Sequence, residues 1–137
     1  MENKKGAFVS LEGCEGSGKS TQISLLKDYL SEKGTDFLFT REPGGTEISE
    51  DIRRIILNGA YTEMTDETEA LLYAAARAQL IREKILPARK DGMIVLCDRY
   101  IDSSFAYQAF ARGLGLDFVK SVNVVAMRDC LPDLTLF

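Results

Sequence analysis

Short, mostly apolar runs alternate with longer stretches in which apolar residues return every three or four positions. Residues 7–11, 36–40, 93–97 and 132–137 are runs of the first kind. Their length and partly β-branched content predict buried strands. Between them, 20–30 carries Ile23, Leu26, Lys27 and Leu30 at helical spacing, and 47–57 carries Ile48, Ile52, Ile55 and Ile56. The longest periodic stretch is 67–89, where Leu71, Leu72, Ala75, Ala78, Gln79 and Arg82 recur at three and four. Residues 101–111 and 116–128 predict two further helices. Glu32-Lys33-Gly34 stops the first helix, Pro43 with two glycines breaks 41–46, and 58–66 is polar and loop-like. This alternation predicts an α/β domain with a parallel sheet. The run at 93–97 is apolar throughout, as in a strand covered on both faces. In such sheets ligands gather at the carboxyl ends of the strands. The loops 13–19, 41–46 and 98–104 all fall there.

The first of these loops carries the sharpest chemistry. Residues 13–20 read Gly-Cys-Glu-Gly-Ser-Gly-Lys-Ser, the phosphate-binding pattern Gly-x-x-x-x-Gly-Lys-Ser/Thr, placed between a predicted strand and a predicted helix. Glycines let the backbone curl so that its N–H groups face phosphate oxygens. The helix N-terminus adds positive potential. Lys19 supplies a mobile charge for the outer phosphates and Ser20 a hydroxyl for Mg²⁺. A flexible glycine-rich turn is the plain alternative, and the strand–helix context weighs against it.

Composition narrows the partners. The chain has 137 residues, one domain's worth, with net charge −4 and pI about 4.9. It has no general attraction for nucleic acid or anionic membrane, so an anion must be held by locally placed Arg and Lys. Residues 1–7 are too short and polar for a signal peptide, and no apolar run approaches a membrane span. Cys14, Cys97 and Cys130 lack metal spacing and predict reduced thiols in a cytoplasmic protein. With no histidine in the chain, imidazole chemistry is excluded.

Asp98 ends the third predicted strand, the usual second position for Mg²⁺ beside a phosphate loop, often through water. A helix cap or a pair with Arg99 is the alternative. Arg99 points the opposite way if the strand geometry persists. Arg41, Arg53 and Arg99 together suggest a second, phosphate-bearing substrate, although each alone is as readily a surface arginine. Tyr73 and Arg77, four apart on one helix face, could hold a flat base. Spacing alone favours a packed Tyr and a solvated Arg. Ser104, Tyr107 and Gln108 share another face and could read a nucleobase and sugar, or be ordinary helix residues. Glu15, repelled by phosphate, should accept from a sugar hydroxyl or reach a metal, unless it points out to solvent.

These segments resemble bacterial thymidylate kinases along the whole chain: Leu-Glu-Gly-Cys-Glu-Gly-Ser-Gly-Lys-Ser-Thr at 11–21, Thr-Arg-Glu-Pro-Gly-Gly-Thr at 40–46, Leu-Leu-Tyr-Ala-Ala-Ala-Arg at 71–77, Asp-Arg-Tyr-Ile-Asp-Ser-Ser at 98–104, Ala-Tyr-Gln at 106–108 and Pro-Asp-Leu-Thr-Leu at 132–136. The first motif indicates only a phosphate-loop protein; the second together with Asp-Arg-Tyr is specific to this family. The resemblance implies an α/β, P-loop, three-layer α/β/α fold with a mostly parallel sheet, and transfer of the ATP γ-phosphoryl group to dTMP for dTTP synthesis. It implies that Gly13, Cys14, Glu15, Gly16, Ser17, Gly18, Lys19, Ser20 and Thr21 hold the ATP phosphates. Mg²⁺ would accompany ATP at Ser20 and Asp98, with Lys19, Arg99 and Asp98 as catalytic groups.

For dTMP the resemblance implies Arg99 on the phosphate, helped by Arg53 and less certainly Arg41, beside Pro43. Glu15 would approach the sugar 3′-hydroxyl, and Tyr73, where Phe is commoner, would stack on thymine. Arg77 and Gln108 would contact the base edge, with Ser104 beside them, and Tyr107 would crowd the sugar 2′ position. It further implies a cytoplasmic homodimer. Residues 1–137 are expected to form a nucleoside monophosphate kinase core whose sheet is incomplete at the C-terminus, because the family continues through a mobile lid and terminal helices. Gly16 offers no side chain, so the lid is expected to bring the transition-state arginine, and 1–137 alone is expected to be poorly stable and inactive. Another P-loop nucleotide or nucleoside kinase, or a non-enzymatic nucleotide switch, are the competing readings. The guanine-reading Asn-Lys-x-Asp of such switches is not in the sequence.

Overall fold

Four parallel strands lie in the order β2-β3-β1-β4 in the computed structural model, which describes residues 5–137. They are β1 (Phe8–Leu11), β2 (Phe37–Arg41), β3 (Ile94–Asp98) and β4 (Leu134–Leu136). The helices are α1 (Lys19–Glu32), α2 (Glu47–Ile56), α3 (Asp66–Leu80), α4 (Leu86–Lys90), α5 (Ile101–Ser104) and α6 (Leu116–Met127). Strand alternation sends Phe8, Val95 and Cys97 to one face, where Leu80, Ile81, Ile85, Tyr100 and Ile101 cover them. Leu11, Ile94 and Leu96 face the other way, against Ile23 and Leu30 of α1. The sheet is therefore a middle layer, as the predicted α/β/α class requires.

Two predicted helices are less regular than their periodicity suggests. The stretch 67–89 is α3 and α4 joined by a π-helical turn, Ile81–Ile85. Its buried face is also not the predicted one. Leu71 is 52% exposed, and Ala75 and Arg82 are exposed. Ala70, Ala74, Arg77 and Ile81 face inward instead. Alanines carry a weak hydrophobic signal, so the larger leucine dominated the pattern. Residues 101–111 are one α turn followed by a π-helical segment, Phe105–Ala111. In α2, Ile48 and Ile55 are exposed and Ser49 is buried, its Oγ donating to the Ala76 carbonyl at 2.8 Å.

The register levels the strand ends. Leu11 and Arg41 both lie opposite Asp98. The chain leaves β2 and β3 still bonded to neighbours: Glu42 N donates to Asp98 O at 3.0 Å and Arg99 N to Leu11 O at 2.9 Å. This brings Glu12, Glu42, Asp98 and Arg99 to one edge, beside the loop that opens α1.

Candidate active site

The loop between β1 and α1 forms a hollow of about 390 Å³ lined by Cys14 to Thr21 and by Arg99. Gly13, Gly16 and Gly18 have φ of 149°, 76° and 85°, a region that L side chains enter only with strain. No side chain caps α1 at Gly18, so its first N–H groups stay available to an anion. Lys19 Nζ donates to Asp98 Oδ1 at 2.5 Å, the two side chains being 13% and 24% exposed. Asp98 thus neither caps the next helix nor pairs with Arg99.

Arg99 departs from the strand at once. It is the one non-glycine among the described residues with positive φ, 68°. A residue held there costs on the order of 1–3 kcal/mol and usually serves a site. The expected opposition of Asp98 and Arg99 is therefore lost: both line a second cavity of about 730 Å³. The guanidinium of Arg99 lies 5.8 Å from the Tyr107 ring centroid, with Nη1 reaching Ser103 Oγ at 3.4 Å.

This larger cavity gathers Glu15, Arg41, Pro43, Arg53, Tyr73, Arg77, Asp98, Arg99, Ser104, Tyr107 and Gln108, all singled out from sequence. Their states differ. Arg41 Nη2 donates to both Glu50 oxygens at 3.0 Å. The Gly45 N–H, with Arg41 beside it, holds the Glu50 carboxyl below its usual range. Arg53 Nη1 donates to Pro43 O at 2.9 Å. Arg53 and Arg41 thereby fasten the 41–46 loop, whose Glu42–Pro43 peptide is cis. Tyr73 is half-buried, and burial pushes its hydroxyl above the usual range. Tyr107 is 47% exposed.

Arg77 departs most from expectation. It is 2% exposed rather than solvated. Its Nε donates to Glu42 Oε2 at 2.8 Å and its Nη1 to Asn123 Oδ1 at 2.6 Å. Nη2 meets Ser104 Oγ at 3.1 Å and the Tyr100 carbonyl at 3.3 Å. Nη1 has a second N–H with no partner among the described residues, and Arg77 is part of the cavity wall. Glu42 is buried with it, and burial raises its carboxyl above the usual range against the pull of Arg77. Among the described residues Glu42 Oε1 has no partner.

Sequence reasoning passed over Glu42, Glu12 and Glu69. Glu12 accepts from Tyr100 N at 2.8 Å and Ser103 Oγ at 2.6 Å, locking the 98–104 loop to β1. Their place beside singled-out positions was the only signal; an acid in a polar loop otherwise reads as solvated.

Two adjoining anion-friendly cavities, sharing Cys14, Glu15 and Arg99 as a wall, define the site. A family profile described as Thymidylate kinase matches residues 11–137. The chain belongs to the thymidylate kinase family. It is 58% identical over 133 residues to a thymidylate kinase of Geobacillus sp. (strain WCH70), covering 97% of this chain and 63% of that protein. A thymidylate kinase of Clostridium novyi (strain NT) is 53% identical, with 97% and 65% covered. The chain therefore spans somewhat under two thirds of these relatives' length. The crystal structure of thymidylate kinase from Ehrlichia chaffeensis superposes with a TM-score of 0.85 at 35% identity, covering 96% of this chain and 73% of that one. The thymidylate kinase resemblance and the parallel α/β fold expected from the sequence both hold.

The residues suit Mg²⁺ with a nucleotide. No group of three or more Cys, Asp or Glu that could hold a metal lies together among the described residues. The protein offers a hydroxyl at Ser20 and a carboxylate at Asp98. Magnesium, which keeps waters and takes phosphate oxygens, fits so sparse a set.

Proposed function

We propose that the protein transfers the γ-phosphoryl group of ATP to dTMP, giving ADP and dTDP for dTTP synthesis. One observation carries this reading: Arg99 and Glu15 stand between the phosphate-loop hollow and a second, arginine-lined cavity. A nucleotide switch has no use for that second cavity. A kinase acting on an unphosphorylated nucleoside has no acceptor phosphate to set beside Arg99.

The 13–21 loop amides and Lys19 hold the ATP phosphates, and Lys19 follows the charge that develops on the moving group. Asp98 orients the Lys19 ammonium. Ser20 and Asp98 would hold Mg²⁺, directly or through water, and bound there it neutralises phosphate charge. Arg99, fixed by its backbone and backed by Arg53, holds the dTMP phosphate in line. Arg41 is committed to Glu50 and contributes mainly by shaping the loop. Glu15 accepts from the sugar 3′-hydroxyl. Tyr73 stacks on the base, Pro43 closes one side, and Arg77, Ser104 and Gln108 meet its edge. The chemistry is positioning and charge neutralisation, with no covalent intermediate.

No helix among the described residues is long and apolar enough to cross a membrane, consistent with a cytoplasmic enzyme. Exposed Leu71 on α3 and Val124 and Val125 on α6 are apolar surface that a second copy in a homodimer would cover.

The test is the product and its sugar. Full-length protein with ATP, Mg²⁺ and dTMP should form dTDP and ADP one for one, and should use the ribose analogue poorly. Tyr107→Phe should keep that preference, and Tyr107→Ala should relax it. ATP consumption without dTDP would refute the reaction, and equal use of both sugars by the wild type would refute the role of Tyr107.

A further inference from the structure

Gln108 lies on the π-helical segment Phe105–Ala111, 3% exposed, in the wall of the larger cavity. Its Nε2 donates to Glu69 Oε1 at 2.9 Å. Glu69 belongs to α3, two turns before Arg77, and its other oxygen accepts from Arg112 Nη2 at 3.1 Å. Arg112 also lies 3.6 Å from Asp66. Arg112 is 52% exposed and the Glu69 side chain 16%, and an ion pair with one solvated partner is worth little in itself.

An ionised carboxylate can only accept. Glu69 therefore decides which end of the Gln108 carboxamide faces it: the nitrogen must, and the carbonyl is left for the cavity. Gln108 is 3% exposed, so turning the amide would set its carbonyl against the Glu69 carboxylate with little water to separate them. Arg77, on the same wall, has an N–H to give. The wall thus presents an acceptor from Gln108 and a donor from Arg77. A base edge that fits must offer an N–H beside a carbonyl, as the N3–H and O4 of thymine do. Cytosine offers a bare N3 beside an amino group, and so meets an acceptor with a lone pair and a donor with N–H.

We infer that Glu69 is a positioning residue for base selection: by holding the Gln108 carboxamide in one orientation, it makes the cavity accept an imide edge and refuse that of cytosine. This rests on the reading of the cavity as a pyrimidine monophosphate site.

Glu69→Gln tests it. The change is nearly isosteric at a partly exposed position, but the new amide can donate as well as accept. Gln108 is then free to turn its carbonyl toward position 69 and its amino group into the cavity. Equilibrium dialysis of the full-length protein with dTMP and with dCMP gives the ratio of the two dissociation constants. The wild type should bind dTMP far more tightly. In Glu69→Gln the ratio should shrink at least about tenfold, through weaker dTMP and stronger dCMP binding, since unpaired or mispaired polar groups are what reject a wrong edge. In a Gln108→Leu background, adding Glu69→Gln should leave the ratio unchanged, because the amide through which Glu69 acts is gone. Arg112→Ala, which leaves the carboxylate in place, should keep the wild-type ratio. A wild-type ratio in Glu69→Gln would overturn the inference. So would an equal loss in Arg112→Ala, or a further shift in the Gln108→Leu background. Failure of the wild type to prefer dTMP would instead overturn the reading of the cavity itself.

Discussion

Lys19→Ala is expected to slow dTDP formation by at least ~10²-fold, the effect of removing one well-placed electrostatic donor. The ammonium is largely buried between the phosphate loop and Asp98, so neither water nor another cation of the loop replaces it. The fold should persist. Lys19 opens α1 and is not a member of the apolar cluster that Ile23 and Leu30 share with Leu11 and Leu96. Asp98, 24% exposed, is open enough to be solvated once its partner is lost. Turnover under saturating ATP and dTMP checks the first part, and urea unfolding of the same preparation checks the second. Near-normal turnover would remove Lys19 from the mechanism.

Arg77→Ala should act on stability before it acts on binding. Removing the guanidinium leaves Glu42 buried without its counter-charge, with Asn123, Ser104 and the Tyr100 carbonyl losing a donor. Breaking a buried pair in this way costs about 3–5 kcal/mol. Glu42→Gln combined with Arg77→Met, which removes both charges and keeps much of the volume, should cost clearly less than the sum of the single changes. Urea titration of the single and paired variants measures this. Loss of less than about 1 kcal/mol in Arg77→Ala would show that the pair is not anchoring this side of the sheet. A raised dTMP KM in Arg77→Ala is thus no simple measure of a base contact, whereas Gln108 and Glu69 give cleaner ones.

The strand-and-helix order and the loops at the strand ends were legible because they rest on strong local signals. A Gly-rich loop with Lys and Ser, a Pro-Gly-Gly break and short, mostly apolar runs each have one common structural meaning. The cavity residues from Glu15 to Gln108 come together because those loops share one edge of a parallel sheet. What pairing does to each of them was not legible. Arg77 read as solvated because an arginine on a helix usually is, and its acceptors come from three separate segments of chain. Arg99 read as continuing the strand, but its left-handed backbone turns it toward Asp98's cavity. The α3 stripe was read from Leu71 and Ala75, whereas α3 packs closely through Ala70, Ala74 and Ala76. Glu12, Glu42 and Glu69 carried no signal of their own, since an acid shows its purpose only once its donor is in view.

The identity of the phosphoryl acceptor decides the function. ADP release by the full-length protein, compared across dTMP, dUMP, dCMP, AMP and GMP at fixed ATP and Mg²⁺, tests it most directly. The predicted result is a kcat/KM for dTMP well above that for every other acceptor, with dCMP and the purine monophosphates poorest. A purine monophosphate or dCMP matching dTMP, or ADP release that no acceptor accelerates, would contradict it.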